Sequence, residues 1–552
     1  MTTKKLLLTT ALLTGAISQA LACTSLIAGK NATVDGSVMI TYAADSHVRF
    51  GFLENQPAAD HRPGAMRQII EWTSNKPLGQ IPEVEHTYGT IGNMNEHGLA
   101  ISESTWGGRP ELKGPNGILD YGSLIFIALQ RAKTAREAIA VMTDLVDKYG
   151  YYSTGESFSI ADENEAWIME MIGKGADEKG AVWVAMRVPD DCISGHANHA
   201  RIHQFPLNDK KNCIYSPDVI SFARKKGWFD GKDEDFSFSL AYAKYKYSSL
   251  RGCDGRVWAF YNKFADNMDQ YIPWITEGDG EPLPLWVKPN RKLNADDLKW
   301  MMRDHFENTP FDMTNDMGAG PYKVPYRWRP STFEVDGQTY YHERAIATQQ
   351  TGYSFIAEIN KNRPDALKGL MWFGTDDANT CVYLPIFCTV ARPPFEVAKD
   401  NGDLYNISWN SNFWVNNYVA NQAYNRYSQM IPDIRRVQSS LEDSIAVDVK
   451  VAIEQLPEFE EDAQRALVQD LADIWANKVT TRYKQLGDYL LVKYLDGNIK
   501  IEDENGFVST PDNKPVSPTF GGYDDGYYRS IVTDPEAAER LKVRELKVKQ
   551  KP

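Results

Sequence analysis

Short runs of apolar residues broken by turn residues occupy the first third of the chain, and long helical stripes appear only near its end. Thr24 to Ala28 reads as a strand, Asn31 to Gly36 supplies turn residues, and Ser37 to Tyr42 resumes a strand that runs into Asp45, which together predict a hairpin. A further strand-like piece, Gly98 to Ser102, follows the loop Asn93 to His97. Asp120 stands as an N-cap before Leu124, Ile127, Ala128, Arg131 and Ala132 at helical spacing, and a second helix is predicted over Ala135 to Tyr149. Strands return at Ser157 to Ala161, Ala166 to Glu170 and Ala181 to Val188. Strands, then helices, then strands predict a layered α+β domain and not a regular parallel α/β alternation.

From Phe205 to about Tyr340 the periodicity is weak and Lys, Asp, Pro and Trp accumulate, so residues 205–340 read as cleft insertions made of loops and short helices. Core strands are predicted again over Ala345 to Glu358, Gly369 to Phe373 and Cys381 to Phe387. Ile434, Val437, Leu441 and Ile445, and then Leu467, Leu471 and Ile474, fall at helical spacing on either side of Pro457, an antiparallel pair whose apolar stripes suit core packing. Gly506 to Tyr528 reads as loop and Lys542 to Pro552 as a basic, solvated tail. The aromatic group Trp409, Phe413, Trp414 and Tyr418 reads as core. The organisation that follows is residues 1–22 as a targeting segment, 23–430 as the main domain and 431–552 as a helical pair with a tail packed on it.

The start of the chain changes this picture from fold to chemistry. Lys4 and Lys5, an apolar run from Leu6 to Ile17, and small residues at Ala20 and Ala22 have the three parts of a secretory signal peptide, too short for a bilayer span, which takes roughly 20 apolar residues. Processing by signal peptidase after Ala22 would make Cys23 the mature terminus, in the periplasm or outside the cell. Its removal deletes two lysines and no acid, moving the formal charge from -14 to -16. So acidic a chain argues against a nucleic-acid partner. No later run suggests a stable membrane span, and a homo-oligomer is compatible with everything above. Of the six cysteines, Cys192, Cys213, Cys253, Cys381 and Cys388 remain beside Cys23, and their pairing is not deducible.

A terminal cysteine carries a thiol and a free α-amino group on neighbouring atoms. With a thiol pKa near 8.5 and an amine pKa of about 7.7 to 8.0, the amine can take the thiol proton, directly or through one water. That chemistry defines an N-terminal-nucleophile hydrolase. The competing reading is a lipid-anchored binding protein with a lipidated, silent Cys23, although such processing favours a large aliphatic residue where this chain has Ala20. A zinc site on His196, His199 and His203, spaced i, i+3, i+7, is a rival of another kind, but no H-E-x-x-H is present and nearby Pro189 and Gly195 suggest loop or strand.

Several blocks in order resemble the cysteine dipeptidase family, relatives of choloylglycine hydrolase and penicillin V acylase. They are Cys23 to Lys30 with Asp35-Gly36-Ser37, Asn95 to Glu103, Ser157 to Asp162 with Glu165-Ala166-Trp167, Arg187-Val188-Pro189-Asp190 leading into His196 to Ile202, Met371 to Gly374, and Phe413 to Asn416. The resemblance implies a four-layer αββα N-terminal-nucleophile hydrolase core with a C-terminal helical extension. It implies hydrolysis of dipeptides or short peptides with Cys23 as nucleophile and no cofactor or metal. Asp45, at the end of the strand paired with that of Cys23, would hold the α-amino group. Where acylase relatives carry an arginine three residues earlier, this chain has Tyr42. Asn198 matches an oxyanion-hole asparagine, and Ser104 or Thr105 falls where those relatives have another. Arg256 matches an arginine near the nucleophile less closely, and its local sequence reads as a surface arginine. Glu103, Thr105 and Asp162 are the candidates on the substrate side, the two acids for a substrate ammonium. An N-acyl amide hydrolase is the alternative activity.

Overall fold

The computed structural model describes residues 23–545. The expected signal peptide, residues 1–22, and the end of the basic tail lie outside the described residues. Along the chain, β1 (Ser25–Ala28) and β2 (Val38–Asp45) form the hairpin, followed by β3 (Ala100–Trp106), α1 (Tyr121–Arg131) and α2 (Ala135–Tyr149). Next come β4 (Gly155–Ala161), β5 (Ala166–Gly173), β6 (Ala181–Arg187), β7 (Ile193–His196) and α3 (Gly255–Phe264). The last major elements are β8 (Thr351–Ile359), β9 (Gly369–Thr375), β10 (Leu384–Phe387), α4 (Asn412–Ala423), α5 (Tyr427–Gln455) and α6 (Glu461–Lys493). The fold is α+β.

Two large antiparallel sheets carry it. The first runs Trp286–Val287, β7, β1, β2, β8, β9, β10, and the second runs Cys213–Tyr215, β6, β5, β4, β3 and then three two-residue strands. β2 of the first sheet touches β3, β4 and β5 of the second. α1 and α2 pack on the second sheet, whereas α4 and α6 pack on β9 and β10 of the first. Alternation along the strands explains the arrangement. On β4, Phe158 and Ile160 join the buried cluster of α1 and α2, while Ser159 reaches His196 of the first sheet.

Local chemistry sets the helix limits. The Asp120 side chain accepts from the Ser123 N–H at the start of α1, and Thr134 with Glu137 makes a capping box at the start of α2, each worth about 1 kcal/mol. Gly29 follows β1 at a close approach to the Asp190 main chain, where a Cβ would lie 2.5 Å from the carbonyl oxygen. Among the described residues all six cysteines are free thiols. No helix of the described residues is long and apolar enough to cross a membrane.

Four expectations need correction. Residues 205–340 are not only cleft loops: α3 drives Val257, Trp258, Phe260 and Tyr261 into the core, all fully buried, because a run of apolar residues overrides the polar composition around it. The strand predicted from Ala345 starts at Thr351, since the preceding residues turn back to meet Asp45. The Gly506 to Tyr528 loop contains a helix over Asp525–Ile531. The aromatic group is split, with Phe413 buried against Phe50 and Trp409 exposed.

Candidate active site

Cys23 precedes β1 and is 1% exposed. Its neighbour Thr24 bridges Ala43 of β2, which brings the thiol to the end of β2 and against β3 of the second sheet. The sulfur donates to Glu103 Oε1 at 3.5 Å and lies 3.6 Å from Tyr42 Oη, and Tyr42 in turn donates to the same carboxylate oxygen. The Asp45 backbone N–H also faces the sulfur. Burial first, and then the charges of Glu103 and Asp45, push the thiol well above its ordinary pKa, so at rest it holds its proton.

Glu103 does not stand alone. Thr105, two residues along β3, pairs in register with Glu156 of β4 and donates to its Oε2 at 3.1 Å. Burial and the charge of Glu103 hold the Glu156 carboxyl well above the usual range, since two adjacent buried acids cannot both ionise.

Asp45 is fully buried, ion-paired with Arg344 and hydrogen-bonded by Thr351 Oγ1 at 2.7 Å. Burial raises its carboxyl, and Arg344 and Thr351 oppose that shift.

Arg256 is the largest correction. It is 1% exposed, not a surface residue, because α3 is core. One terminal nitrogen donates to the Cys23 carbonyl at 2.7 Å and Thr24 Oγ1 at 2.8 Å, and the other to the Ala197 carbonyl at 3.1 Å and Asn198 Oδ1 at 2.9 Å. Burial and the charge of Arg344 lower its pKa to about 10, which leaves it a cation at neutral pH. The guanidinium thus ties the main chain of Cys23 to Asn198.

Asn198 sits in the left-handed region at φ 59°. An asparagine tolerates that conformation better than most residues, and three anchors hold it here. Its N–H donates to Ser104 Oγ, its Nδ2 donates to the Thr105 carbonyl at 2.7 Å, and its Oδ1 accepts from Arg256. Ser104 Oγ also bonds His196 Nδ1 at 2.6 Å, and Ser159 Oγ bonds Nε2 at 2.8 Å. Burial, with the charge of Arg201 adding, lowers His196 to about 3, so the ring is neutral. His196 belongs to β7 and no helix spans residues 197–203, so the three histidines do not share a helical face; His203 is engaged by Ser237 and Tyr245.

Beside these residues opens a cavity of about 750 Å³ whose lining includes Thr105, Asn198 and Arg256. Cys23, Asp45, Asn198, Arg256, Glu103 and Thr105 are therefore brought together. Asp162 is not: it is 5% exposed and accepts from the N–H groups of Ala135, Asn164 and Glu165, capping α2 and its own turn. Glu156 and Arg344 went unnoticed in the sequence. An acid inside the strand of Phe158 and Ile160 is a readable signal for the first, whereas Arg344 lies 299 residues from its partner and has none.

Comparison with known proteins finds relatives that are named as dipeptidases. A "Probable dipeptidase" of Latilactobacillus sakei is 27% identical over 390 residues, covering 66% of this chain and 74% of that protein. A "Probable dipeptidase" of Salmonella dublin is 25% identical over 389 residues, covering 67% and 82%. A "Dipeptidase" of Bifidobacterium longum is 24% identical over 446 residues, covering 72% and 76%. The family description "Peptidase family C69" matches residues 22–440, a stretch that takes in both sheets and every residue around the thiol. With a buried cysteine at the head of that stretch, the chain belongs to peptidase family C69.

Proposed function

We propose that this protein is an exported cysteine dipeptidase in which Cys23, released as the mature N-terminus, is the nucleophile. The observation that carries the reading is the Arg256 clamp, which joins the Cys23 carbonyl to Asn198 at the floor of a cavity. The two stacked sheets with helices packed on each support a four-layer αββα N-terminal-nucleophile core, and the dipeptidase names of the relatives support the substrate class.

In this mechanism the α-amine of Cys23 takes the thiol proton. The sulfur attacks the peptide carbonyl, the C–N bond breaks as the amine returns the proton to the leaving nitrogen, and water hydrolyses the thioester. Asn198 brings a non-titrating amide to the developing oxyanion, a donor of the kind worth roughly 3 kcal/mol. Asp45, held by Arg344, sits at the end of β2 to orient the α-amine. Glu103 receives the substrate ammonium: in a dipeptide that group lies one carbon from the scissile carbonyl, and the carboxylate is 3.5 Å from the attacking sulfur.

A second reading, hydrolysis of N-acyl amides, is favoured by one observation, that no carboxylate is among the described residues lining the cavity. Intact-mass analysis of the mature chain, with turnover of a dipeptide and its N-acetyl form by wild type and Cys23→Ala, decides among these. A mature mass beginning at Cys23, turnover of the free dipeptide only, and its loss in Cys23→Ala are expected. Retained turnover in that variant, or a lipid-modified terminus, would refute the proposal.

A further inference from the structure

The cavity beside Cys23 has a charge opposite to that of the protein. On a chain of formal charge -14, the lining includes Lys244, Lys246, Arg256, Arg329 and Arg344 with no Asp or Glu among its described residues. Two of these cations are occupied: Arg344 is paired with Asp45, and Arg256 is spent on Cys23, Thr24 and Asn198. The other three make no ion pair within the described residues. Arg329 donates to Gln350 Oε1 at 3.2 Å and to Ser331 Oγ, both neutral, and Lys244 and Lys246 are exposed. The positive field is felt by His47 on the same lining, whose pKa is lowered by burial and then by the charge of Arg329.

These cations come from two separate segments. Arg329 precedes the hairpin Thr332–Val335 with Gln338–Tyr341, and the lysines lie just before Tyr247, whose ring meets Tyr341 of that hairpin edge-on at 5.8 Å. On the dipeptidase reading, a dipeptide with its ammonium towards Glu103, which lies behind the lining, would place its leaving residue in this cationic space. Its terminal carboxylate needs one cation site. Uncompensated positive charge on a second segment is then left facing the side chain of the same residue.

We infer that the cleft selects dipeptides whose C-terminal residue has an acidic side chain, the terminal carboxylate and the side-chain carboxylate being shared between Arg329 and the Lys244–Lys246 pair. This rests on the dipeptidase reading and specifies its substrate. Because the charges are partly exposed, the preference is screened by salt, the Debye length being about 8 Å at 0.15 M.

The test compares kcat/KM of the mature enzyme for alanyl-glutamate, its neutral isostere alanyl-glutamine, and the reversed pair glutamyl-alanine and glutaminyl-alanine. A preference of roughly tenfold for alanyl-glutamate over alanyl-glutamine at low salt is expected, equal to about 1.4 kcal/mol. It is expected to shrink as salt rises and to be absent in the reversed pair. In Lys244→Gln/Lys246→Gln the ratio falls towards one, while Lys244→Arg/Lys246→Arg, which keeps the charge, retains it and controls for damage to the loop. Equal turnover of the two alanyl peptides, or a ratio indifferent to the glutamine variant, overturns the inference while leaving the dipeptidase reading in place. Failure to hydrolyse any of the four peptides overturns that reading, and the inference with it.

Discussion

Replacing Arg256 by lysine keeps the charge and most of the length but removes the planar fork, and so isolates what the clamp does. The arginine donates to five oxygens, those of Gly252, Cys23, Thr24, Ala197 and Asn198. An ammonium has three donors around a single point and cannot reach both the Cys23 carbonyl and Asn198 Oδ1 as two separate nitrogens do. Two buried acceptors lose a charged donor, at about 1 to 3 kcal/mol each, so a stability loss of roughly 2 to 6 kcal/mol is expected. Catalysis is expected to suffer in a particular way. The sulfur and the oxyanion donor lose their common reference, and a misplacement of about 1 Å costs on the order of 100-fold in rate. On the proposed mechanism the substrate's ammonium and carboxylate sites stay in place, so the loss is expected to fall on kcat and to leave KM near its original value. Steady-state kinetics on a dipeptide, with thermal unfolding of the same preparation, measures both effects. A variant with kcat within about threefold of wild type would show that Arg256 only fills space, and the positioning argument would fall.

Glu103→Gln is expected to have two opposite effects. Removing the charge that raises the Cys23 thiol shifts the pH profile of its alkylation towards lower pH, and the loss of the ammonium partner raises KM for free dipeptides but not for an N-acetyl amide. An unchanged alkylation profile would detach Glu103 from the sulfur. For His196 the sign follows from its lowered folded pKa: the ring is neutral in the fold, and the unfolded chain takes up its proton below about 6.5. Its contribution to stability is thus fully present above pH 6.5 and lost as pH falls towards 3. Relative to His196→Gln, wild type is expected to lose up to about 1.4 kcal/mol per pH unit across that window in urea titrations. Parallel curves for the two proteins would contradict this.

What was legible in the sequence was local. Asp120, the Thr134–Glu137 box and the hairpin from Cys23 to Asp45 lie within a few turns of what they control, and their elements formed as expected. Around the thiol, Cys23, Glu103 and Asn198 were legible because they sit in blocks of family resemblance. Arg256 read as a surface residue because a charged side chain ordinarily faces water, and the packing of the apolar run Val257, Trp258 and Tyr261 carries that helix inward. Asp162 misled because capping a helix and binding an ammonium call for the same side chain. Arg344 was invisible, since nothing local marks an ion pair closed across 299 residues.

Cys23, Tyr42 and Asp45 belong to one sheet, Glu103 and Glu156 to the other, and Arg256 and Arg344 to segments far along the chain. The constellation is therefore complete only when both sheets and these distant segments are docked. A chain that has made its hairpins but not yet docked its sheets carries an ordinary thiol with no clamp and no carboxylate behind it. In refolding, recovery of peptide turnover is expected to lag the return of strand signal and to coincide with burial of the core tryptophans. The fold acts as its own timer, and a half-made molecule has nothing with which to cut its neighbours.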